Sequence, residues 1–196
     1  TDKCMLLPAA NTGDTQDILI VYLDASASAL TVKWHDDSAN TNTESVTIAT
    51  MTAALIDLFS AHYQYSASIR HSDGHLIIAV NTEYDTSTSD HRVFDVDRTA
   101  GAFSITELTA IVSNVDDHYY TSVFIDQNTD DIYIGYSGST SGAETISTST
   151  QVYYRKSTDG GATWGAETQY SEGAGAARIN VRAPITGPRF HMSWRV

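Results

Sequence analysis

The sequence of 196 residues contains few cysteines, few basic residues and no long apolar segment. Cys4 is the single cysteine, so a disulfide within the chain is excluded, and we expect this residue to be a small buried apolar side chain. No apolar run approaches the ~18 residues that a membrane-spanning helix needs, so no membrane span is predicted. No Asn-x-Ser/Thr acceptor for glycosylation is present.

Positive charge is scarce, because 11 Lys and Arg stand against 24 Asp and Glu, for a formal net charge of −13. Nucleic acid phosphates require stripes of Lys and Arg, so nucleic acid is not expected as a partner. Polyanionic glycans are disfavoured for the same reason, unless a local Arg cluster compensates. No Cys/His cluster predicts zinc and no glycine-rich phosphate loop is present, so no cofactor is expected.

A repeat with a period of 56 to 58 residues runs through the chain. The segment that begins at His62 matches the one that begins at His118 in His, Tyr, Ser and Ile, without a gap. Apolar runs recur in the same register at 18–22, 76–80, 132–136 and 190–194. A period of this length predicts a repeated supersecondary unit, and a unit of four short strands is typical of a propeller blade.

We therefore predict an all-β protein, a β-propeller of four-stranded antiparallel blades with about three and a half blades in this chain. The single propeller segment covers 1–196, with blades at approximately 1–50, 60–110 and 117–172 and an incomplete one at 175–196. Strands are expected in the first blade at 30–34 and 44–48, in the second at 66–70, 76–80, 92–97 and 103–108, and in the third at 121–125, 132–136, 152–156 and 164–170. A short helix is expected at 51–59.

Closure of such a ring needs more than these repeats supply, since propellers have roughly 4–8 blades. An open end exposes an apolar blade face and a sheet edge. Three explanations stay open: the sequence is a piece of a longer polypeptide, a partner or second copy closes the ring, or four blades form a compact disc.

A short motif follows the β-favouring run at 151–156, and its eight residues match the pattern Ser-x-Asp-x-Gly-x-Thr-Trp. The matching residues are Ser157, Asp159, Gly161, Thr163 and Trp164. Hydroxyl and carboxylate side chains that bond nearby backbone groups, and a Gly that tolerates positive φ, predict a tight hairpin turn. The motif resembles the BNR/Asp-box repeats of sialidase-like β-propellers. This resemblance implies a structural role for the five residues, and the segment 97–103 is interpreted as a degenerate copy.

The resemblance also implies a functional face where the inner strands begin, beside the connections 81–90 and 137–150. The ligand-binding candidates there are Tyr63, Asp117, His118 and Tyr119. The pairs His62-Tyr63 and His118-Tyr119 are similar to those of propeller polysaccharide lyases with BNR-like repeats, in which His and Tyr serve as base and acid. A lyase also needs a cation, for which Arg70, Arg178 and Arg182 are candidates. The alternative is that a repeated His only caps or spaces each inner strand.

Two further possibilities are less well supported by the residues. A sialidase would require an Arg triad, a Tyr nucleophile with its Glu, and an Asp acid, for which only Arg70, Arg178, Arg182 and Asp117 are loose candidates. Asp126, Asn128 and Asp130 have the spacing of a calcium loop. However, Asp131 and Ser137 stand where that loop requires Gly and Glu, so an ordinary hairpin turn is favoured.

We therefore expect a non-catalytic recognition or adhesion module that binds carbohydrate. Its partner would be a glycan or another protein, at an extracellular or virion surface. Two alternatives stay open. One is part of a propeller polysaccharide lyase or glycosidase, and the other is a structural component of a virion surface or tail.

Overall fold

The computed structural model describes residues 3–9, 17–24, 26–50, 65–81, 91–99, 102–111, 119–137, 151–171, 179–182 and 193–195. In these residues the secondary structure consists of strands and turns. None of the described segments forms a helix with the length and apolar character needed to cross a bilayer. The short helix expected at 51–59 lies outside the described residues.

Three four-stranded antiparallel sheets and one two-stranded sheet account for the strands of the described residues. The first sheet contains β1 (Lys3–Pro8), β2 (Ile18–Asp24), β3 (Ala29–Asp36) and β4 (Thr41–Thr50). The second contains β5 (Tyr65–Ile69), β6 (Leu76–Asn81), β7 (His91–Thr99) and β8 (Ala102–Glu107). The third contains β9 (Tyr119–Asp126), β10 (Asp131–Ser137), β11 (Val152–Ser157) and β12 (Thr168–Gln169). The two-stranded sheet pairs β13 (Ile179–Arg182) with β14 (Ser193–Arg195).

The predicted all-β class and the four-stranded antiparallel units are confirmed, and each strand of a unit pairs with the next one along the chain. The strands of the second sheet agree with their predicted bounds within two residues. The last strand of the third sheet, Thr168–Gln169, is shorter than the predicted 164–170, because only Thr168 and Gln169 pair with β11. The first sheet also begins with a strand, β1, that the repeat did not reveal.

Three hairpin turns close in the same way, through an Asp side chain and a residue four positions later with positive φ. Each carboxylate accepts a hydrogen bond from a backbone N–H two or three positions on. Short polar side chains suit both places, because they bond locally and tolerate the left-handed region. The pairs are Asp24 and Ser28, Asp36 and Asn40, and Asp126 and Asp130.

The second sheet lies between the first and the third, and its strands β5 and β6 are buried on both faces. On β6, Leu76, Ile78 and Val80 pack against the first sheet, whereas Ile77 and Ala79 pack against the third. Successive side chains of a strand point to opposite faces, so a strand covered on both sides loses the usual alternation of apolar and polar residues. This two-sided burial explains the continuous apolar run of β6.

The face of β1 that points away from the second sheet is exposed. Leu7 lies on the inner face and is buried, while Leu6 on the outer face is 63% exposed. Cys4 shares that outer face and is exposed, so the prediction that it is buried is wrong. The physical reason is strand parity: residues an even number of positions apart share a face, and Cys4 has the parity of Leu6.

Neighbouring sheets contact one another through their first strands, since β1 lies against β5, β5 against β9, and β9 against β13. The Tyr65 hydroxyl donates to the Val21 carbonyl at 3.3 Å, and the Val123 N–H donates to Ser66 Oγ at 3.1 Å. First strands are edges of their own sheets, and Ser66 satisfies one backbone donor that such an edge leaves open. The units therefore follow one another in chain order, each packed on the next.

Replacing Ile78 by Ala should lower the free energy of unfolding by about 2–5 kcal/mol, because a buried aliphatic side chain leaves a cavity between two sheets. Ile20 occupies the equivalent position 58 residues earlier, but it lies on the partly exposed outer face of the first sheet. Ile20→Ala should therefore have a clearly smaller effect in urea denaturation. Equal losses for the two variants would contradict the two-sided burial of the second sheet.

Candidate functional site

The second and third sheets each have two ends at which the chain turns. At the turn edge the first strand connects to the second and the third to the fourth, through 70–75, 100–101, 127–130 and 158–167. At the loop edge the first strand begins and the second connects to the third, through 82–90 and 138–151. β5 and β9 run side by side in the same direction, since Ser66 bonds Val123 and the carbonyl of Ile69 accepts from Gln127 Nε2 at 2.8 Å. The two loop edges are therefore adjacent.

Tyr119 is the predicted ligand-binding residue that falls within the described part of the chain. It begins β9 at the loop edge and pairs with Ser137, the last residue of β10. The candidates that lie outside the described residues are His62, Tyr63, Asp117, His118 and Arg178. Arg182 ends β13.

Arg70 lies at the turn edge of the second sheet, where carboxylates surround it. Its Nε and Nη2 donate to Asp73 Oδ2 at 2.8 and 2.6 Å, and Nη2 donates to Asp95 Oδ2 at 3.2 Å. Burial disfavours the charge of Arg70, but the hydrogen bond and charge of Asp73 outweigh it and raise the pKa of the guanidinium. Arg70 is thus a structural cation in an ion-pair cluster.

The position of Arg70 separates it from Tyr119. β5 and β9 are parallel neighbours, and Arg70 lies beside the end of β9, near Gln127. Tyr119 is about eight residues before that point on β9, which corresponds to roughly 25 Å at the usual rise of a strand. The structure therefore does not bring Arg70 and Tyr119 together in one pocket.

His75 belongs to the same cluster at the turn edge and precedes β6. Its Nδ1 lies 2.6 Å from Asp95 Oδ1, and its Nε2 lies 3.6 Å from Asp97 Oδ1. The described residues contain no group of three or more His, Cys, Asp or Glu arranged to hold a metal ion. Contacts of His75 with β7 instead tie the turn to the neighbouring strand.

The weak calcium candidate at the next turn closes on itself. Asp126 Oδ1 accepts from the Asn128 N–H at 3.0 Å and from its side-chain amide at 3.3 Å. The carbonyl of Asp126 accepts from the Asp130 N–H at 2.8 Å. These bonds give an ordinary hairpin turn between β9 and β10.

The Ser157–Trp164 turn is closed by the side chains of its motif. Ser157 Oγ donates to Asp159 Oδ1 at 2.8 Å and accepts from the Gly161 N–H at 2.8 Å. Asp159 also accepts from the hydroxyl and the N–H of Thr163, at 2.5 and 2.9 Å. These bonds, that of the Thr163 hydroxyl first, lower the pKa of Asp159 to about 2. The motif residues are used within the turn.

The same turn fastens the third sheet to the segment that follows β8. Trp164 Nε1 donates to the Thr109 carbonyl at 2.7 Å, and Thr109 Oγ1 donates to the Ala162 carbonyl at 2.7 Å. Trp164 is partly buried and packs against the core between the second and third sheets, as Leu108 does. The turn therefore joins two sheets as well as two strands.

The hairpin of β7 and β8 makes a corresponding joint with the first sheet. Phe103 N–H donates to Glu44 Oε1 at 2.8 Å, and Arg98 Nε donates to Glu44 Oε2 at 3.2 Å. The Arg98 guanidinium also lies 3.7 Å from the ring centroid of Trp34. This hairpin includes the segment 97–103, and it contacts the preceding sheet without the residues of the Ser157–Trp164 motif.

A layer of four buried polar side chains lies at the loop edge between the second and third sheets. Asn81 ends β6 and pairs with His91, which begins β7. Thr121 and Tyr136 lie near the corresponding ends of β9 and β10. Each of the four is no more than 1% exposed. We term these residues the polar layer.

The interface between the first and second sheets carries aliphatic residues at three of the four equivalent positions, and a tyrosine with a bonded hydroxyl at the fourth. There Leu23 pairs with Leu30, as Asn81 pairs with His91. The equivalents of Thr121 and Tyr136, 56 residues earlier, are Tyr65 and Val80. Since the repeat folds with Leu23, Leu30 and Val80 at three of these places, its architecture does not require the polar groups of Asn81, His91 and Tyr136.

Tyr136 connects the polar layer to the segment before β12. Its hydroxyl donates to Glu167 Oε2 at 2.9 Å, and its ring meets that of His91 edge-on at 5.6 Å. Burial first, and then the charge of Glu167, raise the pKa of Tyr136 far above its usual range, so the phenol stays protonated. A protonated Tyr136 can donate a hydrogen bond but cannot act as a base.

Sequence reasoning missed the polar layer, although a signal was present. The gapless alignment of the repeats puts Val80 opposite Tyr136, and Tyr65 opposite Thr121. A polar residue at a position that is apolar in another repeat marks a place where the units differ in more than packing. The sequence contains no comparable signal for Glu44, whose role depends on contacts between sheets.

Replacing Gly161 by Ala should destabilise the protein more than replacing Gly160. Both glycines have positive φ, 93° and 72°, so each substitution carries backbone strain of about 1–2 kcal/mol. An added Cβ at Gly161 would also lie 2.5 Å from Leu108 Cδ1, whereas one at Gly160 meets nothing within 4 Å. Thermal denaturation of both variants, and of Gly161→Ala with Leu108→Ala, measures the difference. Leu108→Ala should remove the clash and hence part of the additional loss of stability caused by Gly161→Ala. Equal losses for the Gly160 and Gly161 variants would contradict the close contact between Gly161 and Leu108.

Asp159→Asn should lower the stability of the protein near neutral pH, and this loss should become smaller as the pH falls. Folding lowers the pKa of Asp159 from 3.8 to about 2, so the folded state favours the carboxylate. The resulting stabilisation is fully present above about pH 4 and is lost as the pH falls towards about 2. The difference in Tm between wild type and Asp159→Asn should therefore shrink across this window. Thr163→Val, which removes a bond to the carboxylate, should reduce the same pH dependence; a difference constant from pH 2 to 7 would contradict the assignment.

Comparison with known proteins adds no family to these observations. The chain matches no protein-family model, and no curated protein matches it. Function must therefore be argued from the motif and from the geometry of the two edges.

Proposed function

We propose that the chain is a segment of a sialidase-like β-propeller of the BNR/Asp-box type, and that its loop edge is a non-catalytic surface for carbohydrate recognition. The observation that carries this proposal is the adjacency of the loop edges of the second and third sheets, with hydrogen-bonding side chains buried beneath them. Carbohydrate sites combine convergent polar groups with aromatic side chains. The polar layer supplies the first, and Tyr119 at the start of β9 is the candidate for the second.

The contacts between sheets support a propeller. In that architecture the first strand of each blade lines the axis, and neighbouring blades meet face to face. The sequence of contacts β1 to β5, β5 to β9 and β9 to β13 is what such an arrangement requires. The contacts of Glu44 and Thr109 are also consistent with it. Each one links the connection between the third and fourth strands of a sheet to the preceding sheet, at its fourth strand (Glu44) or just after that strand (Thr109).

The proposal requires another sheet over the outer face of the first one. Ile20 on that face is the equivalent of Ile78, which the first sheet buries completely. Leu6, exposed beside it on β1, has the buried Ala67 as its equivalent. A further unit of the same repeat, from additional sequence or from a second chain, fits this face.

The placement of Arg70 favours binding over turnover. A lyase needs a cation beside the His and Tyr that move the proton, in order to stabilise the carboxylate-bearing intermediate. Arg70 is held by Asp73 and Asp95 at the turn edge instead. A polysaccharide lyase would therefore have to use another Arg, and the alternative of a structural virion component predicts neither binding nor turnover.

A glycan array should return neutral or weakly charged sugars for the wild-type protein, because the net charge of −13 repels polyanions. Tyr119→Ala should weaken binding roughly tenfold, the loss of one contact of about 1.4 kcal/mol. Tyr154→Ala, on β11, is the matched control and should bind as the wild type does. An array without a hit would reject the proposal in favour of the structural role.

Turnover is tested on the same preparation. New absorbance from an unsaturated uronate product, lost in His118→Ala, would favour the lyase alternative. Binding without such a product is the expected result.

A further inference from the structure

The polar layer is a local departure from a rule that the repeat otherwise follows. Both interfaces between four-stranded sheets bury aliphatic side chains along most of their length. At the loop edge one interface ends in Leu23, Leu30 and Val80, and the other in Asn81, His91 and Tyr136. Burial of polar groups opposes folding unless they are hydrogen-bonded. Burial at the second interface therefore has a free-energy cost that is absent at the equivalent aliphatic positions of the first.

The contacts within the layer leave two of its oxygen atoms unused. Tyr136 donates to Glu167, and its ring packs on His91. Asn81 Oδ1 and Thr121 Oγ1, in contrast, have no hydrogen-bond partner within the described part of the chain. Buried polar atoms without a partner are rare in proteins, and each one calls for an explanation such as a ligand or a bound water.

We infer that Asn81 and Thr121 form the floor of a ligand site at the loop edge, where they bind an uncharged hydroxyl group of a sugar. This inference rests on the proposed function and deepens it, because it names the residues and the chemical class of the ligand group. Asn81 Oδ1 accepts a hydrogen bond, and Thr121 Oγ1 accepts or donates one. A sugar hydroxyl is both a donor and an acceptor, so its chemistry matches that of either atom.

The charges around the layer select a neutral ligand group. Glu167 faces it from the segment before β12, where its carboxylate is bonded to the Tyr136 hydroxyl, and an anion would be repelled by this charge. The guanidinium of Arg155, on β11, favours ionisation of Tyr136 without overcoming its burial, so it too is close to the phenol. With one charge of each sign at this side, neither an anion nor a cation gains a clear advantage.

The ligand would reach the layer from the loop edge. Asn81 is the last residue of β6, and Tyr136 is the last but one of β10. The connections 82–90 and 138–151 leave the sheets at these points. The layer therefore lies on the same edge of the sheets as the start of β9.

The test replaces the two unused polar groups by apolar ones of similar size. Asn81→Leu, Thr121→Val and the double variant restore residue types of the kind that the first interface carries. Their Tm without ligand should equal or exceed that of the wild type, since no hydrogen bond within the protein is lost. The affinity for the neutral sugar selected by the array, measured by calorimetry, should fall at least tenfold.

Tyr65→Phe is the matched control. It removes a buried hydroxyl that does have a partner, the Val21 carbonyl, at the equivalent end of the other interface. This variant should lower the Tm and leave the affinity for the sugar unchanged.

The outcomes separate this inference from the proposed function. A fall in Tm for Asn81→Leu and Thr121→Val like that of Tyr65→Phe would show that the layer is structural and would overturn the inference. Unchanged affinity in the double variant would overturn it as well and leave a buried water as the partner of the two atoms, while recognition at the loop edge would stand. A wild-type protein that binds no neutral sugar would overturn both.

Discussion

Burial of β5 and β6 on both faces is the constraint on which the rest of this structure depends. A strand such as β6 can be apolar on both sides only if a sheet covers each face, so the first and third sheets have to pack against it. Their packing brings β1, β5 and β9 together and aligns the turn edges and the loop edges. The positions of Arg70, Tyr119 and the polar layer follow from that alignment.

The two edges of the sheets have different chemistry. At the turn edge, charged and hydroxyl side chains bond to one another or to the backbone: Arg70 with Asp73, Ser157 with Asp159, and Gln127 with Ile69. These groups are employed in closing turns and joining sheets. At the loop edge the buried Asn81 and Thr121 have oxygen atoms without a partner in the described residues. At the turn edge Asp130 Oδ1 is likewise buried without a partner in the described residues. The basis for placing recognition at the loop edge is therefore that two such oxygen atoms lie there in one buried layer between two sheets.

Several elements could be predicted from particular residues. The period of the repeat located the strands of the second sheet, because a strand between two sheets leaves an unbroken apolar run in the sequence. The Ser157–Trp164 turn was predictable because its hydrogen bonds are local and depend on residues only two to four positions apart. Cys4 was placed wrongly, since composition alone does not say which face of β1 points inwards. The polar layer was missed because its members come from four strands of two sheets.

The amino-acid sequence by itself determined the strand periods, the tight turns and the excess of negative charge, since each depends on neighbouring residues or on a simple count. Only the tertiary structure decided that Glu44 receives Arg98 and Phe103, and that Thr109 receives Trp164. It also decided that Arg70 and Tyr119 stand at opposite ends of adjacent strands, while Asn81 and Thr121 share one buried layer. The physical reason is that a sheet fixes directions along a strand locally, whereas the face and the neighbour that a side chain meets are set by packing between sheets.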